Sequence, residues 1–254
     1  MIKTALITGA SSGLGLEFVK LFAKDGYNLI VIARNEEKLL EIKKEFPNVN
    51  VTVIPKDLSK PDAIKEIMDE LKTKNISVDV LVNNAGFGLL GSFESLSMEQ
   101  QLNMIQLNVS SLTELTYHLL PELKKSKSGK ILNVASTAAF QPGPNMAVYY
   151  ATKAFVLSFS EALAEELKED SITVTTLCPG ATKTNFSSVA NVGNTKMFSN
   201  AMPSEIVAKQ GYQALMRGKR VVITGRFNKV GALAAKFLPR QSAAKVAKLV
   251  MKEN

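Results

Sequence analysis

Short apolar runs alternate with longer amphipathic ones along almost the entire chain. Near-continuous Val, Ile and Leu segments of strand length fall at residues 4–7, 28–33, 51–54, 80–82, 130–135, 173–177 and 220–223. Between them, apolar side chains recur at helical spacing over residues 13–24, 35–45, 61–72, 98–120, 149–167 and 204–217. Strands that are apolar on both faces need cover on both, and such strands joined by helices predict a parallel sheet. The expected fold is therefore α/β: a doubly wound, seven-stranded parallel sheet with helices on both faces, in a single domain. Sheets of this kind bind ligands beyond the carboxyl ends of their strands, at the switch point. Gly9, Asp57, Asn84, Ser136 and Pro179 all follow strand ends in this reading. No internal repeat beyond the αβ alternation and no low-complexity tract interrupts the pattern.

Composition narrows the class. A chain of 254 residues with 46% hydrophobic content can bury one large core. No apolar run reaches the roughly eighteen residues that a bilayer-spanning helix needs. The first apolar run is only a strand long and leads straight into a glycine turn, so no signal peptide is expected. A single cysteine, Cys178, excludes an internal disulfide and fits a reducing, cytoplasmic location. Its place before Pro179 and Gly180 favours a small buried residue over a reactive thiol. The one histidine, His118, reads as structural, and no metal site is expected.

The first strand runs into Thr8, Gly9, Ala10, Ser11, Ser12, Gly13, Leu14 and Gly15, after which the first helix begins. Backbone without Cβ atoms can approach a pyrophosphate closely, and a helix N-terminus offers free N–H donors and a favourable dipole. Strand, glycine turn and helix in this order predict a phosphate site, with Gly9, Ser11, Ser12, Gly13, Leu14 and Gly15 around a dinucleotide. Cofactor choice turns on the residue after the second strand. A carboxylate there holds a ribose 2′-OH, whereas a guanidinium suits a 2′-phosphate. The chain has Arg34 at that point and no acidic residue before Glu36. Arg34, with the Ser11 hydroxyl, predicts NADPH/NADP in preference to NADH.

Tyr149 and Lys153 lie four residues apart at the start of a helical run, which puts their side chains on one face. Tyr150 would point about 100° away and is not the partner of Lys153. A phenol has a pKa of about 10, and bringing it near 7 takes roughly 4 kcal/mol of preferential phenolate stabilisation. A lysine cation in a low-dielectric cleft, beside a cationic nicotinamide, is a source of that size. Ser136, at the end of the fifth strand, can donate to a carbonyl oxygen while Tyr149 supplies the proton. The trio is suited to hydride transfer to C=O.

These pieces stand in a fixed order over residues 8–184: Thr8-Gly9 with Gly13 and Gly15, then Asn83-Asn84-Ala85-Gly86, Asn108, Ser136, Tyr149, Lys153 and Pro179-Gly180. The arrangement resembles the classical branch of the short-chain dehydrogenase/reductase superfamily, with bacterial ketoacyl- and hydroxysteroid-type reductases nearer than the epimerase branch. The resemblance implies a Rossmann-like fold and a tetrad of Asn108, Ser136, Tyr149 and Lys153, in which Asn108 holds a water linked to Lys153. It implies that Tyr149 and Lys153 reach the nicotinamide ribose, that Asp57 accepts from the adenine amino group and that Leu58 packs on the base. Asn84, Ala85 and Gly86 would let the backbone approach the adenine-side ribose, Pro179 and Gly180 would belong to the cofactor site, and Thr182 and Thr184 would reach the carboxamide. It further implies a homodimer or homotetramer built through the helices bearing Asn108 and Tyr149. The expected activity is NADPH-dependent reduction of a ketone or aldehyde to an alcohol, on a lipophilic or acyl-type small molecule. The alternative is a dinucleotide-binding regulatory or membrane-associated interaction protein with little turnover, against which the intact tetrad speaks.

Two segments lie outside these motifs. Residues 185–202 carry Phe186, Val189, Val192, Met197, Phe198 and Met202 among Asn, Ser and Gly. Such a stretch fits a mobile lid with adaptable Met side chains over an apolar substrate, and equally a short helix packed on the core. Residues 209–254 hold eleven Lys or Arg against one acidic residue, Glu253, while the whole chain carries +8. Residues 228–237 and 240–252 read as two apolar-basic helices broken at Pro239, with Lys245, Lys248 and Lys252 on a common face. Residues 226–254 are thus expected as a basic extension of the domain formed by residues 1–225, roofing the apolar pocket and turning positive charge outward. An acidic carrier or an anionic membrane surface fits such a segment. Nucleic acid does not, because no recognised module or aromatic-basic interleaving accompanies the charge.

Overall fold

The apolar runs form the strands β1 (Thr4–Thr8), β2 (Asn28–Ala33), β3 (Val51–Pro55), β4 (Val80–Asn83), β5 (Lys130–Val134), β6 (Thr173–Cys178), the two-residue strands β7 (Thr182–Lys183) and β8 (Met202–Pro203), and β9 (Val221–Ile223). The helices are α1 (Gly13–Lys24), α2 (Glu36–Glu45), α3 (Ala63–Thr73), α4 (Met98–Ile105), α5 (Leu112–Lys125), α6 (Ala147–Glu166), α7 (Phe186–Val189), α8 (Ser204–Met216), α9 (Arg226–Phe237) and α10 (Arg240–Val250). This is a computed structural model, and it describes residues 2–190, 192, 193, 195, 198 and 200–250. Seven strands pair in parallel in the order β3-β2-β1-β4-β5-β6-β9. The chain builds outward from β1 to β3 and then crosses back to β4, so the crevice between the carboxyl ends of β1 and β4 is the switch point.

Alternation within the strands supplies both cores. Ala5, Ile7, Leu29, Val31, Val80, Val82 and Leu132 face the layer containing α1 and α8, where Phe18, Phe22 and Val207 are fully buried. Leu6, Ile30, Ile32, Leu81 and Ile131 face the other layer, with Ile64, Ile67, Leu115 and Leu119. Each such side chain contributes about 1.5–3 kcal/mol on leaving water. Asn35 caps α2 by accepting from the Lys38 N–H at 2.9 Å. Among the described residues no helix is long and apolar enough to cross a membrane.

The helix expected at 98–120 is not continuous. Between α4 and α5, residues Gln106–Ser111 widen into a π-helical stretch. There the Ser111 hydroxyl bonds the Gln106 carbonyl at 2.9 Å and also reaches the carbonyl of Leu58, far away in sequence. Asn108 sits inside this widened turn, a kind of site often functional. The helix also runs on past Pro121 to Lys125. Proline removes the bond to the Tyr117 carbonyl, but both residues face solvent, where water can take that carbonyl, and fully buried Leu123 anchors the last turn.

A buried polar chain positions α6. Asn83 Nδ2 donates to Thr116 Oγ1 at 3.0 Å and to Asn133 Oδ1 at 2.9 Å, and Asn133 Nδ2 donates to Ser160 Oγ at 2.9 Å. These groups tie β4, β5, α5 and α6 together at depth, where a satisfied network holds one register.

The short strands were not legible as sheet. Thr182 pairs with Met202 and Lys183 with Pro203, clasping the base of the intervening segment. Within that segment Ala190 and Val192 are buried with Tyr149, Met146 and Met104, and the Leu90 N–H bonds the Ala190 carbonyl at 3.2 Å. Of its described residues, Phe186, Ala190, Val192 and Phe198 pack on the site. Met197 lies outside the described residues.

The two C-terminal helices form as Arg226–Phe237 and Arg240–Val250, broken at Pro239, with Lys252 outside the described residues; they do not roof the pocket, since among the described residues no cleft-lining residue lies beyond Phe198. They rest beside it. The Asn228 side chain packs against Gly180 and donates to the Thr224 carbonyl at 2.7 Å, and the Lys236 ammonium lies 5.6 Å from the centre of the Phe140 ring. What they turn outward is apolar as well as basic.

Candidate active site

The carboxyl ends of β1, β2, β4, β5 and β6 open into one cleft of about 600 Å³. One end is the glycine turn. Gly9 and Gly13 adopt φ of +65° and +55°, which L side chains rarely take. A Cβ on Gly15 would collide with the Gly9 carbonyl, and one on Gly13 would stand 3.0 Å from the Thr184 methyl. The cradle thus has room for backbone and ligand but none for side chains. Free N–H groups at the start of α1 and the guanidinium of Arg34 complete a surface that fits a dinucleotide pyrophosphate and its adenine-side ribose.

The turn is braced from β4. Asn84 Nδ2 donates to the Thr8 carbonyl at 2.9 Å and the Gly9 carbonyl at 3.3 Å, while Thr8 Oγ1 accepts from the Asn84 and Ala85 N–H groups at 3.0 Å each. Asn84 therefore lines the cleft but spends its amide on the turn. Asp57 turns one carboxylate oxygen to the Ser59 N–H at 3.0 Å and the Ser59 hydroxyl at 2.8 Å. Burial acts to raise its pKa, yet these bonds and the charges of Arg34 and Lys60 outweigh it, so the carboxyl is held below its ordinary range.

At the other end stand Ser136, Tyr149 and Lys153. Lys153, nearly fully buried, donates to the Val134 carbonyl at 2.9 Å, with its ammonium 5.8 Å from the centre of the Tyr149 ring. Ser136 follows β5, bonded by its hydroxyl to the Ala138 N–H at 3.1 Å. Burial, the largest effect, pushes the Tyr149 pKa up, and the Ser136 hydroxyl opposes it only in part. Burial likewise drives Lys153 down to about 8. The lowering of the phenol toward neutrality expected from Lys153 is thus not supplied by the protein's own groups, because desolvation favours the neutral form of both partners.

Asn108 does not face the cleft. Its side chain clasps the Phe87 backbone, accepting from N–H at 3.1 Å and donating to the carbonyl at 2.9 Å, and donates to Thr152 Oγ1 at 3.1 Å. Both Nδ2 hydrogens and one acceptor site of Oδ1 are thus spent on positioning the Phe87 backbone and Thr152. Gly86 makes the approach possible: a Cβ there would come within 2.8 Å of Asn108 Oδ1 and 3.5 Å of Lys153 Nζ.

The cleft wall includes the expected Gly9, Ser11, Ser12, Gly13, Leu14, Arg34, Asp57, Leu58, Asn84, Ala85, Gly86, Pro179, Gly180, Thr182 and Thr184. Gly15 supports the turn from behind. Sequence reasoning missed Phe87, Leu89 and Met146, which line the substrate end with Phe186, Val189 and Phe198, and Lys56 beside Asp57. No motif marks the first three; Lys56 could have been suspected from its neighbour. Tyr150, set aside for its direction, does reach the wall, although only Tyr149 pairs with Lys153. Cys178 is fully buried and burial pushes its thiol up to about 12, so it stays protonated and unreactive at neutral pH. His118 is exposed and away from the cleft, and among the described residues no cluster of metal-binding side chains occurs.

Comparison with known proteins is consistent across sequence and structure. The family model described as short chain dehydrogenase matches residues 3–194. An uncharacterized oxidoreductase of Staphylococcus epidermidis is 31% identical over 194 residues, 76% of this chain and 84% of that protein. A protein of Arabidopsis thaliana named 11-beta-hydroxysteroid dehydrogenase-like 3 is 36% identical over 220 residues, 85% of this chain and 70% of its own. A short-chain dehydrogenase from Sphingobium yanoikuyae in complex with NADPH superposes with a TM-score of 0.81 at 30% identity, covering 92% of each chain.

Proposed function

The chain belongs to the short-chain dehydrogenase family, and we propose that it is an NADPH-dependent reductase of lipophilic ketones or aldehydes. The observation that carries this reading is the convergence of Ser136, Tyr149 and Lys153 at one end of a cleft whose other end is the glycine cradle beside Arg34. The Sphingobium structure holds NADPH and the Arabidopsis relative is named for a steroid dehydrogenase, which favours the phosphorylated cofactor and an apolar carbonyl. Phe87, Leu89, Met146 and Phe186 give the substrate end the matching polarity.

The cofactor, when bound, supplies the hydride and a positive charge on its oxidised ring. The protein's part is binding and proton management. Ser136 donates to the carbonyl oxygen and fixes its direction. Tyr149 stays protonated because it is buried, and gives its proton to the developing alkoxide. Lys153 binds the ribose hydroxyls, and its charge favours phenolate once the proton has left. Asn108, through Phe87 and Thr152, keeps this end in register. A homodimer or homotetramer is the assembly the family favours.

The test is NADPH oxidation by the purified protein across aliphatic, aromatic and polycyclic ketones. Turnover that rises with the apolar size of the ketone is expected, and no turnover with any carbonyl would sink the reading in favour of a binding protein. A second result concerns pH. With Lys153 at about 8, the free protein holds its ammonium below that value and loses it above. The reductive kcat/KM should therefore be level on the acid side and fall as pH rises through about 8. Tyr149, shifted upward, adds no arm below this, and a profile still flat beyond the Lys153 pKa would remove lysine charge from the mechanism.

A further inference from the structure

Amphipathic helices ordinarily turn their large apolar residues toward the body of the protein, and α9 and α10 do the reverse. The two helices attach through Ala232, Ala243 and Ala247, which are 4, 5 and 6% exposed. On the far side of α9, Phe227, Val230, Leu233 and Phe237 are 93, 67, 58 and 82% exposed. Their spacing of three, three and four residues places them within about 120° of one another on the helix, opposite the buried alanine. Val246 and Leu249 continue the exposed apolar surface on α10.

Basic residues frame this ridge. Arg226, Lys229, Lys236, Arg240, Lys245 and Lys248 lie on the two helices, and no acidic residue occurs between Glu205 and Glu253. Among the described residues none of these six is in a salt bridge, and only Lys236, over the Phe140 ring, has a cation–π contact.

We propose that α9 and α10 form a platform that seats the protein on an anionic lipid bilayer, with the phenylalanine ridge in the acyl-headgroup boundary and the lysines and arginines among the phosphates. The chemistry matches an interfacial helix: large apolar residues on one face, cations along its margins, and a length insufficient to span. Charge complementarity selects this occupant. A second copy of the same face would oppose six cations with six more, whereas anionic headgroups neutralise them. The placement is also directional. An apolar groove of about 470 Å³, lined by Phe140, Pro142 and Pro144 with Arg240 on its rim, lies beside the platform and shares Tyr150 with the catalytic cleft.

The experiment uses the full chain with sedimenting vesicles of phosphatidylcholine alone or with about 30 mol% phosphatidylglycerol. Binding to the anionic vesicles is expected to exceed that to neutral ones by about tenfold or more and to weaken in high salt. The double variants F227S/F237S and K245E/K248E should each lose about tenfold in vesicle binding, with circular dichroism and reduction of a small water-soluble ketone unchanged. Because binding is read by sedimentation, it stands or falls separately from turnover. Equal binding by F227S/F237S overturns the proposal, as does wild-type protein that ignores anionic vesicles, which would leave the ridge to a protein partner. Loss of a wild-type oligomer in F227S/F237S, seen by sedimentation velocity, would show instead that the ridge joins two copies.

Discussion

Tyr149→Phe is expected to lower kcat/KM for carbonyl reduction by about 10³-fold, equivalent to roughly 4 kcal/mol of transition-state stabilisation. The phenol is the acidic group the cleft presents beside Ser136 at the substrate end, and the ring would keep its packing. Tyr149 and Phe186 have ring centres 5.4 Å apart, and both rings belong to the same buried cluster. Removal of one hydroxyl therefore leaves the fold and the cradle at the distant end intact. NADPH affinity, measured by fluorescence titration, should stay within about threefold, so the loss falls on kcat. Activity retained in this variant would overturn the assignment of the proton donor, and affinity lost with it would indicate a binding role instead.

Arg34→Asp should reverse the cofactor preference, changing the ratio of kcat/KM for NADPH over NADH by about 10²–10³-fold. Two effects act together. On the proposed NADPH reading, the charge-assisted bonds of a guanidinium to a 2′-phosphate would be lost, and a carboxylate would stand near a group carrying nearly two negative charges. The same carboxylate can accept from a free 2′-OH, so NADH gains while NADPH loses. Arg34 is exposed and Asp57 feels its charge, which means the substitution also relaxes the downward pull on that carboxyl. A ratio that does not move would assign phosphate recognition elsewhere on the rim, with Lys56 the first residue to examine.

The seven strands were legible because each is apolar on both faces, and strands 4–8 through 221–223 differ from expectation by only a residue or two at their ends. The glycine turn and the Ser136, Tyr149 and Lys153 trio stood out through their order along the chain and the family resemblance it carries, and the structure places them along one cleft. What sequence could not reveal depends on contacts between distant segments. The π-helical turn carries a Ser111 hydroxyl that reaches the Leu58 carbonyl, and the work of Asn84 and Asn108 is visible only once the backbone each clasps is in place. Desolvation is equally hidden, since a Tyr and a Lys four residues apart read as a charge pair until both prove buried. Periodicity showed that apolar residues share one side of the terminal helices, but not which side meets the body. Alanines took that position, and the phenylalanines were left outside.

The clasp formed by Thr182 with Met202 and Lys183 with Pro203 separates two evolutionary freedoms. Once the ends of a connection are pinned, doubling its length costs only about 0.6 kcal/mol of closure entropy. Insertions, deletions and new side chains between the pinned ends can accumulate while Ser136 after β5 and Tyr149 and Lys153 on α6 keep their positions. Descendants of this scaffold can therefore reshape the wall that Phe186, Val189 and Phe198 contribute by rewriting a single cassette, and Tyr149 need not move.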